Sequence, residues 1–138
     1  MAAQPARTST LPDFTGRAAE VAAAFEQYAR LLRAMDHAGM AALFVPTGRV
    51  VNPGETPIVG PAAIDAFLER FADYKVVRYD VTIDRISVHG DSAVQSARFA
   101  QRVRVPARDT IDVTGRIRAR LVRDPRGLWR VVEMGTVH

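Results

Sequence analysis

The chain of 138 residues contains no cysteine. That absence excludes disulfide frameworks, thiolate metal sites and cysteine nucleophiles. Histidine is scarce too: His37, His89 and His138 are the only three, and no pair has the spacing of metal ligands. Lysine is confined to Lys75, so all the other basic residues are arginine. No apolar run approaches the roughly 20 residues that span a bilayer, and the opening stretch lacks the apolar centre of a secretory signal. A soluble, cytoplasmic protein with no membrane partner is expected. There is no glycine-rich phosphate loop and no nucleophile-elbow motif around a serine. Neither an organic cofactor nor a metal is implied.

What is present has the balance of one globular domain, with 48% hydrophobic and 25% charged residues. The net charge is +4, yet the arginines are spread from Arg7 to Arg130 with acidic residues interleaved. Basic excess without a tract or a recognition motif gives no reason to expect a nucleic-acid partner.

Residues 1–13 carry Pro5 and Pro12 among small polar residues and read as a flexible arm ahead of a single domain over 14–138. From Thr15 the apolar positions Ala18, Val21, Phe25, Tyr28, Leu32 and Met35 recur at threes and fours, the stripe of a long amphipathic helix. Asp36 is placed to cap a short second helix running through Met40 and Phe44 to Pro46. A short strand over 49–52 follows. Gly60-Pro61 then opens a third helix with buried face Ile64, Phe67, Leu68 and Phe71. Beyond residue 76 the period changes from 3.6 to 2. Val77, Tyr79, Val81 and Ile83 alternate with polar residues, then Ile86 and Val88 continue on the opposite parity, which calls for a bulge near Asp84-Arg85. Turns at His89-Gly90-Asp91, Pro106 to Asp109 and Asp124 to Gly127 divide the remainder into long strands over 92–105, 111–122 and 128–137. The expected fold class is α+β: a cone-shaped barrel with three N-terminal helices packed on a strongly curved mixed sheet, and a pocket in its mouth.

The element order, with Tyr28-x7-Asp36, Ala42-Leu43-Phe44, Gly48-Arg49-Val50-Val51-Asn52-Pro53, Gly60-Pro61-Ala62-Ala63-Ile64 and Gly127-Leu128-Trp129-Arg130-Val131, resembles the nuclear transport factor 2-like superfamily. Its relatives include ketosteroid isomerases, limonene-epoxide hydrolases and SnoaL-type polyketide cyclases, and its scaffold carries many chemistries. The ketosteroid isomerase pattern implies an oxyanion donor at Tyr28, but its base falls on Asn52 and its protonated acid near Ile117, so two of the three groups are missing. The epoxide hydrolase pattern implies Asn52 and Arg98, while its flanking acids fall at Ala100 and about Thr136 and its tyrosine at Val50. An arginine without its two acids cannot run that cycle. The aspartate and histidine of a SnoaL-type cyclase have no clear positions here.

Strand parity is read as placing Ser96 and Arg98, then Ile117, then Met134 and Thr136 inside the cone, with Tyr28, Leu32, Asn52, Phe67 and Phe71 completing the wall. Tyr28 and Asn52 would orient a ligand and Arg98 would offset its negative charge. Each has a plainer role: Tyr28 as a helix-face residue, Asn52 as a turn initiator before Pro53, and Arg98 on the other face of its strand. Glu133 should face away from Met134 and meet an arginine across the sheet. The expected function is binding of a hydrophobic carbonyl or carboxylate compound, as an isomerase, cyclase or hydrolase of SnoaL type. The alternative is a non-catalytic module of the same fold. A homodimer through the outer sheet face is expected from the resemblance and from strands that carry apolar residues on both faces.

Overall fold

A computed structural model of the chain describes residues Ser9–Thr10 and 14–137. Most of the arm expected over 1–13 lies outside the described residues. Ser9–Thr10 form a two-residue strand, β1, parallel to Val81 and Thr82. The remaining elements are α1 (Gly16–Arg33), α2 (His37–Ala41), β2 (Phe44–Val50), β3 (Ile58–Val59), α3 (Pro61–Glu69), β4 (Lys75–His89), β5 (Ser92–Arg104), β6 (Thr110–Arg123) and β7 (Trp129–Val137). They make one mixed sheet in the order β1-β4-β5-β6-β7-β2-β3.

Local chemistry sets the boundaries. α1 buries Val21, Ala22, Phe25 and Ala29, and carries Arg30 and Arg33 in its last turn, where cations complement the helix dipole. Asp36 caps α2 as its spacing implies, accepting from the Gly39 N–H at 2.9 Å. The helix stops at Ala41, however, and Phe44 already belongs to β2. Pro46 thus sits in a strand and does not end a helix. The register against β7 shifts between Phe44 and Arg49, a break in pairing that accommodates a residue without an N–H. Gly60, with φ +92, adopts the left-handed conformation that a side chain would resist, and Pro61 follows as the first residue of α3.

β4 to β7 form an antiparallel meander, and the register of β4 on β5 shifts between Ile83 and Arg85, where the parity of the sequence changes. Further shifts lie at Val76/Arg78 and between β6 and β7 at Arg120/Leu121. Bulges of this kind add local twist and bend long strands into a curved sheet. The core lies on the concave side, where Val21, Phe25 and Ala29 of α1 meet Val81, Ile83, Ala97, Ile117 and Met134. His37 on α2, buried, bonds Glu69 Oε2 through Nδ1 at 3.3 Å and ties α2 to α3.

The outer face differs from the sequence expectation. It carries interleaved charge: Arg98 pairs with Asp84, Arg102 with Asp112, and Glu133 with Arg49 and Arg120. The long strands also leave Val77, Ile111, Val113 and Val137 exposed.

Gly135 is fixed by a close approach. A Cβ at this position would overlap the Val51 carbonyl oxygen and lie 2.6 Å from its carbonyl carbon, where the chain leaving β2 runs beside β7. Backbone cannot swing aside as a side chain does. Gly135→Ala is expected to destabilise the fold by about 3 kcal/mol, read as a lowered urea midpoint with an unchanged slope.

Candidate functional site

α1 crosses the concave face off-centre. At its start, the Arg17 guanidinium donates to Gly90 O and to Asp91 Oδ1, both at 2.7 Å, in the turn between β4 and β5. At its end, Arg33 donates through Nε and Nη2 to Tyr79 O at 3.2 and 3.1 Å. Both tethers hold the helix against the β4–β5 side. Toward β6 and β7 the bridge is Trp129 Nε1, which donates to Glu20 Oε1 at 2.9 Å, with Arg123 Nε 3.5 Å from the same oxygen.

Between the helix and this second wall lies a half-open cleft of about 650 Å³. Its helix wall includes Ala23, Ala24 and Tyr28, and its sheet wall Ala119, Leu121 and Met134. Three alanines face the gap, and methyl groups are too short to fill it. A volume of this order lined mainly by apolar side chains suits a small molecule.

Tyr28 is the polar point of the deeper lining. Its ring stacks on Phe25 with centroids 6.0 Å apart. Burial pushes its hydroxyl up to about 12, and the hydroxyl makes no hydrogen bond to any described residue. It is a neutral donor throughout the physiological range. Tyr79, buried and stacked on Phe99, is raised by burial and further by the nearby Tyr28, against the lowering influence of Arg33.

Gln95 is the residue that the sequence reading missed. It is 1% exposed, it faces inward on β5 beside the cleft-lining Ala119, and neither amide atom has a hydrogen-bond partner among the described residues. A buried amide in that state costs on the order of 1–3 kcal/mol per unsatisfied group. The signal was available in the β5 sequence, where Ala93, Ala97, Phe99 and Val103 share one parity, but Gln95 and Gln101 interrupt that stripe with polar residues.

The other expected wall residues separate into groups. Met134 joins Tyr28 on the cleft. Ile117 is buried in the core and Leu32 packs against it. Phe67 packs edge-on against Phe71 and Phe71 against Tyr74, an aromatic cluster that does not line the cleft. Asn52 Oδ1 accepts from both the N–H and the hydroxyl of Thr136 at 3.1 Å, which locks the chain after β2 onto β7. Ser96 and Arg98 occupy the outer face, because the unbroken β5–β6 register puts them opposite Arg118 and Arg116 while Ala97 pairs with buried Ile117. Arg98 is an exposed side chain, its Nη2 2.8 Å from Asp84 Oδ1, and this hydrogen-bonded carboxylate raises its pKa. It cannot offset charge inside the cone.

Among the described residues of the cleft lining the carboxylate is Glu20, already engaged by Trp129, and there is no imidazole. Among the described residues no group of three His, Cys, Asp or Glu side chains could hold a metal ion, and no helix is long and apolar enough to cross a membrane.

A concave mixed sheet clasping an N-terminal helix, with a cleft between them, defines the ketosteroid isomerase-like class of α+β fold. A ketosteroid isomerase-like protein from Erwinia carotovora atroseptica superposes with a TM-score of 0.79 at 15% identity, over 91% of this chain and 99% of that one. An NTF2-like protein with a cystatin-like fold from Novosphingobium aromaticivorans gives 0.65 at 23% identity, over 86% and 79%. A Catenulispora acidiphila protein solved in complex with S-DNPA gives 0.68 at 17% identity, over 86% and 91%. Among curated protein sequences none matches. The SnoaL-like domain family model matches residues 16–135, and the chain belongs to that family.

Two measurements check the site. Because the tyrosine hydroxyls are raised, their stabilising effect is complete below the ordinary value near 10 and is lost as pH rises toward about 12. Urea resistance should therefore fall by about 1.4 kcal/mol per pH unit for each buried tyrosine in that window, and Tyr28→Phe should reduce the slope. Gln95→Met keeps the shape and removes the orphaned amide. It should leave the unbound protein as stable or raise its midpoint, against the loss expected of an amide that anchors the core.

Proposed function

We propose that this SnoaL-like domain binds a small hydrophobic molecule in the cleft between α1 and the β6–β7 wall, with the Tyr28 hydroxyl donating to a carbonyl oxygen of the ligand. The observation that carries the reading is a half-buried phenol, without a hydrogen-bond partner among the described residues, on the wall of an apolar cleft of about 650 Å³. Support also comes from the neighbour of the same fold that was solved with S-DNPA. In this reading Asn52 and Arg98 hold the scaffold, and ligand orientation falls to Tyr28.

A phenol held near 12 donates a hydrogen bond at neutral pH but does not remove a proton from carbon. Catalysis as an isomerase, cyclase or hydrolase would accordingly need Glu20, released from Trp129, as its base. Binding without turnover requires no such release, and it is the function proposed here. A homodimer across the sheet remains part of the proposal, resting on the interleaved opposite charges of the outer face and on the apolar residues that the long strands leave exposed.

Trp129 is the only tryptophan and lines the cleft, so its emission reports occupancy directly. Titration with aryl and alkyl carbonyl compounds should shift that emission saturably. Ala24→Phe, which fills the helix wall, should weaken the response at least about tenfold while far-UV circular dichroism stays native. Saturable binding that Ala24→Phe leaves unchanged would place the ligand elsewhere.

A further inference from the structure

The charge at the mouth of the cleft is unbalanced. Four arginines line it, Arg30, Arg123, Arg126 and Arg130, against one carboxylate, Glu20. Glu20 faces Arg123 and the Trp129 indole. The other three guanidiniums form no direct ion pair with any described carboxylate. Arg30 donates to the neutral Gln27 side-chain oxygen at 2.6 Å. Arg130 is anchored on backbone, donating through Nη2 to Ala42 O at 2.8 Å and to Phe44 O at 3.4 Å, while its buried Nε has no partner. Arg126 is exposed and makes no hydrogen bond or ion pair through its side chain.

The nearby acid, Asp124, offsets this excess only in part, attracting Arg126 and Arg130 through space. Asp124 Oδ1 accepts the backbone N–H groups of Arg126 and Leu128, both at 2.9 Å, and these bonds, the Leu128 one foremost, hold its carboxyl below the usual range. It is spent on shaping the β6–β7 turn that carries Arg126. The result is an apolar trough with an arginine lip, and arginine presents a planar fork that matches a carboxylate.

We infer that the ligand is an amphiphilic anion, a lipophilic carboxylic acid whose apolar body lies along Ala24, Leu121 and Met134 while its carboxylate stays at the lip between Arg30 and Arg126. This deepens the proposed binding function and rests on it. The role expected of Arg98 passes to side chains that actually border the cleft. Burial of the body would supply most of the affinity, and the lip would supply the choice of acid over neutral compound.

The test uses 4-phenylbutyrate, 2-naphthoate and decanoate, each beside its neutral primary amide, titrated by isothermal calorimetry into the full chain. At least one acid should bind about fivefold to tenfold more tightly than its amide. That preference should shrink in 0.5 M salt and disappear in the double variant Arg30→Gln/Arg126→Gln, while Arg108→Gln in the distant β5–β6 turn leaves it intact. Both lip residues are exposed, and an unchanged thermal midpoint confirms that the double variant is folded. Amides that bind as tightly as their acids, or a preference that survives the double variant, would overturn the inference and leave the cleft as a binding site. If no acid and no amide binds, the cleft reading itself fails and the inference falls with it.

Discussion

The cleft depends on where α1 is tied. An 18-residue helix is about 27 Å long, rigid enough that two tethers decide its position along its whole length. Arg17 fastens its start to the β4–β5 turn and Arg33 fastens its end to the Tyr79 carbonyl. Both anchors tie the helix to β4 and the β4–β5 turn, and on the other wall the reach of Trp129 to Glu20 adds to the core contacts with Ile117 and Met134. Position, and not any single reactive residue, makes the hollow.

The two faces of the sheet divide the work. The concave face holds the core, the half-buried phenol of Tyr28 and the amide of Gln95, which lies unpartnered among the described residues where an unmet polar group is costly. The convex face holds arginine–carboxylate pairs exposed to water, where such pairs contribute little to stability. A family whose members share a scaffold and differ in chemistry is expected to vary on the concave side and at its mouth. Among the described residues of this chain the cleft lining carries four arginines and one carboxylate.

Much of the architecture was legible because its signals are local. The Asp36 cap, Pro61 at the first position of α3, the parity change at Asp84-Arg85 and the pairing of Glu133 with arginine each follow from a few neighbouring residues. The misreadings needed information from farther away. Pro46 looked like a helix stop, although the irregular pairing of β2 with β7 tolerates it in a strand. Arg98 was read inward from strand parity, and only the register with Ala97 and Ile117 reverses that choice. The cleft was the least legible feature. Its walls come from α1, β6, β7 and the turn after Arg123, and the tethers that hold them apart join residues more than 40 positions distant.

The most direct measurement is the chemical-shift change of the Trp129 indole N–H, the single indole signal of the chain, during titration with a lipophilic carboxylate. Binding in the cleft predicts a saturating shift of that signal together with backbone amides of Ala24, Tyr28 and Leu128. Shifts confined to the outer face, around Arg98, Arg102 and Arg116, with the indole signal unmoved, would contradict it.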